Sequence, residues 1–188
     1  VISADADGFA WRESEIRWTR SLPNDEICFG LGQRASSLNL RGKQVALWNA
    51  DPLPGYERGD DPIYYSIPFY IGVQPELVTG IFWDNPARGY VDLGAEESDK
   101  LSFGAEEGEL RFYLFAGSNI QTALRLYTDL TGRMSLPPMW ALGFHQSRWG
   151  YDSETTFRTL AHEFRQRKLP CDAFYFDIDY MDDYRVFT

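Results

Sequence analysis

The hydrophobic period of this chain changes at Ser118, and that change decides what each part can fold into. Before it, apolar side chains alternate with period two, the pattern of half-buried strands. Tyr65, Ile67, Phe69, Ile71 and Val73 share one face of an extended segment, with Tyr64, Ser66, Pro68 and Tyr70 on the other. Further strands are predicted over 79–83 and 89–93. A last pair, 101–103 and 109–115, reads as a hairpin closed across Ala105-Glu106-Glu107-Gly108. Many short strands punctuated by Gly, Pro, Asn and Asp predict a β-sandwich over residues 1–117.

After Ser118 the period becomes helical. Ile120, Ala123, Leu124 and Tyr127 stand at i, i+3, i+4 and i+7, Ser118 and Gln121 have the spacing of a capping box, and Gly132 sits where a helix ends. Pro137 and Pro138 close this linker, residues 118–138. Met139 to Gln146 then reads as a buried strand. A second helix is expected with Asp152 or Ser153 as N-cap, Phe157, Leu160, Ala161 and Phe164 on its apolar face, and Pro170 beyond its end. Asp172 to Met181 follows as an aromatic-rich strand. Strand, helix, strand at this spacing predicts a right-handed βαβ unit with parallel strands. A parallel pair of about 50 residues cannot cover its own faces and edges, so residues 139–188 are expected to be the start of a larger α/β domain.

Composition narrows the function. The 188 residues are 44% hydrophobic and 16% aromatic, enough apolar surface for a core without metal or disulfide support. Of 28 acidic and 18 basic side chains, residues 1–117 hold 19 and 10, so the acidity belongs to the sandwich. A net charge of −10 argues against nucleic-acid and anionic-membrane partners, whose binding draws on clustered Lys and Arg. No apolar run is long enough for a membrane-spanning helix, and the first 15 residues lack the basic and apolar regions of a signal peptide. Cys28 and Cys171 fit no paired or metal-binding spacing and read as free, packed thiols.

Several residues are candidates for chemistry. On the last predicted strand Tyr175, Asp177 and Asp179 point away from Phe174, Phe176 and Ile178, which puts two carboxylates on one face at the end where parallel sheets bind ligands. Caps to a loop, or pairs with Arg148 or Arg185, would use the same two acids. Trp149 follows the first strand and serves either as a stacking platform or as a rim residue packed on the rest of its domain. His145 can face a barrel centre; His162 lies on the polar side of its helix. Asp51 stands in a long loop of breakers, Trp48 to Tyr56, before the Tyr64 strand. Asp5-Ala6-Asp7-Gly8 has the opening of a calcium loop without its later ligands and reads as a turn.

Taken together, Phe29-Gly30-Leu31-Gly32-Gln33-Arg34, Leu47-Trp48-Asn49-Ala50-Asp51, Ile67-Pro68-Phe69-Tyr70 and Gly80-Ile81-Phe82-Trp83-Asp84-Asn85 resemble glycoside hydrolase family 31. The likeness is strongest from Leu136 to Tyr151 and from Asp177 to Asp182, and it spans roughly residues 28–188 in the family's order. It implies a sandwich of the galactose-mutarotase type followed by a (β/α)8 barrel, the chain stopping just after barrel strand 2. It also implies a retaining α-glycosidase, in which one carboxylate attacks the anomeric carbon and another transfers a proton. Neither is expected here, because the nucleophile's W-x-D-M-N-E-like signature does not occur before Thr188.

The resemblance carries over sugar binding instead. Asp177 matches the acid that holds the far hydroxyl of the nonreducing sugar, Trp149 an aromatic lining that pocket, Ile178 its apolar wall, and Asp51 the sandwich-loop acid on the +1 side. Asp179 is expected to act from behind the sugar contacts. Cys171 replaces the usual aliphatic or small residue, with no consequence for catalysis. No metal or organic cofactor is implied, since two carboxylates and a water suffice. The resulting expectation is the N-terminal part of an α-glucosidase acting on oligosaccharides, inactive without the rest of its barrel. The alternatives are an α-xylosidase or other α-glycosidase of the family, and, in another class, a noncatalytic carbohydrate-binding module.

Overall fold

A computed structural model describes residues 5–52 and 55–188. Val1 to Ala4, where a leader was sought, and Leu53 and Pro54 of the breaker-rich loop lie outside the described residues. The chain divides between Arg133 and Met134 into two compact units.

In the first unit, β1 (Asp5–Arg12), β2 (Glu15–Ser21), β3 (Ile27–Gly32), β4 (Gln44–Leu47), β5 (Ser66–Val73), β6 (Val78–Trp83), β7 (Gly89–Leu93), β8 (Lys100–Ala105) and β9 (Phe112–Gly117) are followed by the helix α1 (Ile120–Thr131). One antiparallel sheet runs β1-β2-β8-β7-β4 and the other β3-β5-β6-β9. Their facing side chains form one core: Trp18, Val45, Val91 and Phe103 from the first sheet meet Leu31, Tyr70, Ile81 and Trp83 from the second. Flat rings dominate it, with Trp18 stacked on Phe112 at 4.4 Å and Trp83 on Phe103 at 5.6 Å. This is the predicted sandwich.

Period two holds along β5, yet both faces are buried. Tyr70 enters the core between the sheets. Phe69 and Ile71 face outward onto α1, where Ala123 is buried and Tyr127 stacks on Phe69 at 4.0 Å. A strand covered on both sides must be apolar on both sides, which explains its continuous hydrophobic run.

Three expectations for this unit are corrected. The 101–103 and 109–115 segments form no hairpin: β8 pairs with β2 and β7, whereas β9 pairs with β6 in the opposite sheet. The chain between them crosses the sandwich, where Asn85 holds it through bonds to the carbonyls of Glu107 and Glu109. Second, the cap of α1 is Asn119, not Ser118; its extended backbone lets the side chain accept the Thr122 N–H at 2.8 Å. Third, Asp5-Ala6-Asp7-Gly8 opens β1 as an irregular strand, not a turn.

The Phe29 to Arg34 motif proves to be a backbone device. Gly30, Leu31 and Gly32 all have positive φ, and the register of β3 on β5 slips between the two glycines. A Cβ on Gly32 would lie 2.3 Å from the Tyr65 carbonyl oxygen. The kink delivers Arg34 inward, where its guanidinium donates to the carbonyls of Leu31 and Ala46 and pairs with Asp61.

A polar knot crosses the same core. Arg20 and Glu26 form a buried ion pair, the Tyr70 hydroxyl donates to Glu26 at 2.6 Å, and the Arg20 guanidinium lies over the Tyr70 ring. Burial, and then the Glu26 charge, hold the Tyr70 phenol well above its ordinary 10.0.

In the second unit, a 3₁₀ turn, Met139–Leu142, precedes the short strand β10 (His145–Ser147); the helix α2 (Glu154–Gln166) and the strand β11 (Ala173–Tyr175) follow. β10 and β11 pair in parallel, as the βαβ reading requires. Ser153 caps α2, accepting from the Thr156 N–H. Both strands are shorter than predicted. Met139 is 86% exposed, so the apolar stretch after Pro138 is neither buried nor extended; Pro138 leads into a turn that closes on Gly143. Beyond Tyr175 the chain leaves the ladder and turns, Met181 donating to the Ile178 carbonyl.

Two outcomes follow. Gly32→Ala should cost about 2 kcal/mol or more in urea denaturation, because a side chain there must displace backbone while holding positive φ; an unchanged midpoint would show that the kink is not needed. Folded Tyr70 keeps a proton that the unfolded chain releases near pH 10.0, so its contribution is fully present below that pH and declines above it. Tyr70→Phe should therefore lower stability at neutral pH but flatten its fall in alkaline melts.

Candidate functional site

The second unit builds a loop cluster beyond the C-terminal ends of its two parallel strands. The register pairs His145 with Ala173, Gln146 with Phe174 and Ser147 with Tyr175. Trp149 and Asp177 each stand two residues past the last of these pairs. Phe176 is locked before them: its ring stacks on Phe157 of α2 at 3.9 Å, while Phe174 meets Phe157 and Phe164 edge-on. On the other loop Tyr151 is buried, edge-on to Phe157, and its hydroxyl accepts from Gln146 at 2.9 Å. One helical phenylalanine thus fixes the exits of both strands.

Between these anchors lie the residues predicted from sequence. Trp149 is 62% exposed. Its indole N–H donates to Asp179 Oδ1 at 3.0 Å, and the Asp179 backbone N–H returns a bond to the Trp149 carbonyl at 3.3 Å. Asp177 is exposed, and among the described residues its carboxylate makes no hydrogen bond or ion pair. Ile178 is half-buried in the turn between the two acids. The expectation of two acids on one strand face is corrected here, because the strand ends before either, and the turn sends Asp179 to the indole. Arg185, considered as a partner for these acids, pairs instead with Asp182.

His145 has both ring nitrogens engaged. Nε2 faces the Trp140 carbonyl at 3.1 Å, which can only accept, so Nε2 carries the proton; Nδ1 then accepts from the Tyr175 hydroxyl at 2.9 Å. Both nitrogens are thus met from within this unit. His162 is exposed. Among the described residues no cluster of three or more His, Cys, Asp or Glu could hold a metal, and no helix is long and apolar enough to cross a membrane.

Asp51 belongs to the first unit. It is exposed at the base of a loop that is closed by the Ser66 N–H bonded to Asn49 Oδ1 and by the Ala50 N–H bonded to the Ile63 carbonyl. Tyr64 lines the same open depression, edge-on to Tyr56. Sequence reasoning missed the Arg34–Asp61 pair that ties this loop to β4, since 27 residues separate partners that carry no joint signature.

Two family models match. The glycosyl hydrolase 31 N-terminal galactose mutarotase-like domain covers residues 3–92, and the glycosyl hydrolases family 31 TIM-barrel domain covers 134–188. This chain belongs to glycoside hydrolase family 31. Among the family's members, the alpha-glucosidase 2 of Bacillus thermoamyloliquefaciens is 41% identical over 100% of this chain and 24% of its own length. The alpha-glucosidase of Saccharolobus solfataricus is 35% identical over 90% of this chain and 24% of its own. A solved family 31 dextranase of Flavobacterium johnsoniae, complexed with glucose, superposes with a TM-score of 0.87 at 39% identity, covering 95% of this chain and 22% of the dextranase. The chain therefore spans about a quarter of the length of the curated relatives it matches.

Proposed function

We propose that this chain is the substrate-binding N-terminal part of a retaining α-glucosidase that removes terminal nonreducing α-linked glucose from oligosaccharides. The observation that carries this reading is the unpartnered Asp177 carboxylate beyond one parallel strand end, together with an exposed Trp149 beyond the other. Sugars need that combination: a flat apolar ring for their C–H faces, and a charged acceptor for a hydroxyl. A carboxylate accepting a hydroxyl is a charge-assisted bond, contributing about 1.5–3 kcal/mol. Ile178 supplies an apolar wall beside it, and Asp51 is the candidate sugar contact of the first unit.

The two carboxylates that break the bond belong, in this reading, to the rest of the barrel. They stand about 5–5.5 Å apart in a retaining enzyme, one forming the glycosyl-enzyme bond and the other first giving and then taking a proton. The residues of this chain hold and orient the sugar they act on. No metal or organic cofactor enters that chemistry.

The 39% identity to a dextranase, a second structure of which holds isomaltotriose, supports an alternative in which the linkage is that of isomalto-oligosaccharides. Comparing the full-length enzyme on maltose, isomaltose and an α-xyloside separates these readings and tests the α-xylosidase alternative.

In the full-length enzyme Asp177→Asn should lower kcat/KM tenfold or more, which is about 1.4 kcal/mol of transition-state binding; an unchanged value removes Asp177 from the site. Calorimetric titration of the 188-residue chain with maltose should give no binding heat, because in this reading other barrel strands supply the rest of the pocket. Saturable binding would favour a self-sufficient carbohydrate-binding module.

A further inference from the structure

The two acids of Asp177-Ile178-Asp179 are separated by one residue and differ in every contact. Asp177 is exposed and unpartnered among the described residues. Asp179 is joined to Trp149 twice, once through the indole N–H to Oδ1 and once through backbone. We propose that Asp179 is the positioning residue for Trp149, holding the indole plane at the orientation in which it meets the sugar. This rests on the reading of Trp149 as a sugar-facing platform.

The geometry makes the role specific. Trp149 is largely exposed, so packing alone does not settle its side-chain torsions. The polar edge of the indole carries a single donor, so one acceptor, placed at 3.0 Å, restricts its rotation. Asp179 is itself held by the return bond from its own N–H to the Trp149 carbonyl, which ties the loop after β10 to the loop after β11. A Cβ on Gly150 would sit in ordinary contact, 3.7 Å from Asp179 Oδ2, which places the carboxylate beside the loop that carries Trp149. The charge of Asp179 strengthens the bond relative to a neutral acceptor. Asp179 Oδ1 is engaged by the indole, whereas neither oxygen of Asp177 has a partner among the described residues.

The test uses the full-length enzyme and steady-state kinetics. Asp179→Asn keeps an acceptor oxygen and should leave KM within about twofold. Asp179→Leu removes it and should raise KM about tenfold with a smaller change in kcat, the signature of lost ground-state placement. Trp149→Phe keeps a ring and loses the N–H. It should raise KM similarly, and adding Asp179→Leu to it should cost nothing further, because the shared bond is already gone. Additive losses, or wild-type KM in either Asp179→Leu or Trp149→Phe, would overturn the proposal. Should Asp179→Leu fold poorly, Asp179→Ala takes its place in the same cycle with Trp149→Phe, and wild-type KM or additive losses there overturn the proposal equally. Trp149→Ala separates the two levels: a large KM increase there alongside a silent Asp179→Leu leaves the platform standing and removes its positioning residue. An unchanged KM for Trp149→Ala removes the platform and the proposal together.

Discussion

The stack of Phe157 on Phe176 is the contact on which the two loops of the candidate site depend. A parallel pair of strands needs a covering helix, because the crossover returns the chain across one face. Here the cover is made by phenylalanines of α2, and Phe157 reaches past the last ladder pair to hold the first residue outside it. The same ring takes Tyr151 edge-on, so the loop after β10 is anchored by the helix that anchors the loop after β11. Rigid elements thus carry the loops to within reach of each other, and the Trp149–Asp179 bond completes the connection.

The sandwich solves a different problem. Its core is wide enough to bury an Arg20–Glu26 pair, and such a pair is stable only when its remaining donors and acceptors are also met. The Tyr70 hydroxyl and the Ser21 carbonyl each meet one of them. The Arg34 guanidinium does similar work at the rim, taking two carbonyls and Asp61. These buried cations hold acids and carbonyls inside the unit, and much of the acidic excess of residues 1–117 is left on the exposed surface.

Much of the fold was legible because it rests on period. The two-residue alternation of β5, the i, i+4 spacing of Ala123 and Tyr127, and the phenylalanines of α2 each state which face is covered. What period cannot state is the partner. Leu101 to Phe103 and Glu109 to Phe115 look like neighbours because a loop joins them, yet pairing is decided by which sheet each strand completes. Nor does period report where a strand stops. Phe174, Phe176 and Ile178 continue the alternation beyond Tyr175, but the ladder has ended and the turn is set by bonds to Trp149, 30 residues away. The family motifs name Trp149, Asp177 and Ile178 as candidates, whereas the bond between Trp149 and Asp179 is visible only in three dimensions.

That last point bears on how a D-x-D pattern should be read. On a strand, the period of two gives both acids the same surroundings, and their charges would oppose each other across one face. A turn removes the equivalence. Here Ile178 is half-buried between them, Asp179 swings to a donor, and Asp177 remains facing water. Two identical side chains acquire different surroundings, Asp177 with neither oxygen bonded among the described residues and Asp179 with Oδ1 on the indole. Exchanging those surroundings would require moving the indole rather than changing either acid, so the position of Trp149 is what sets the two carboxylates apart.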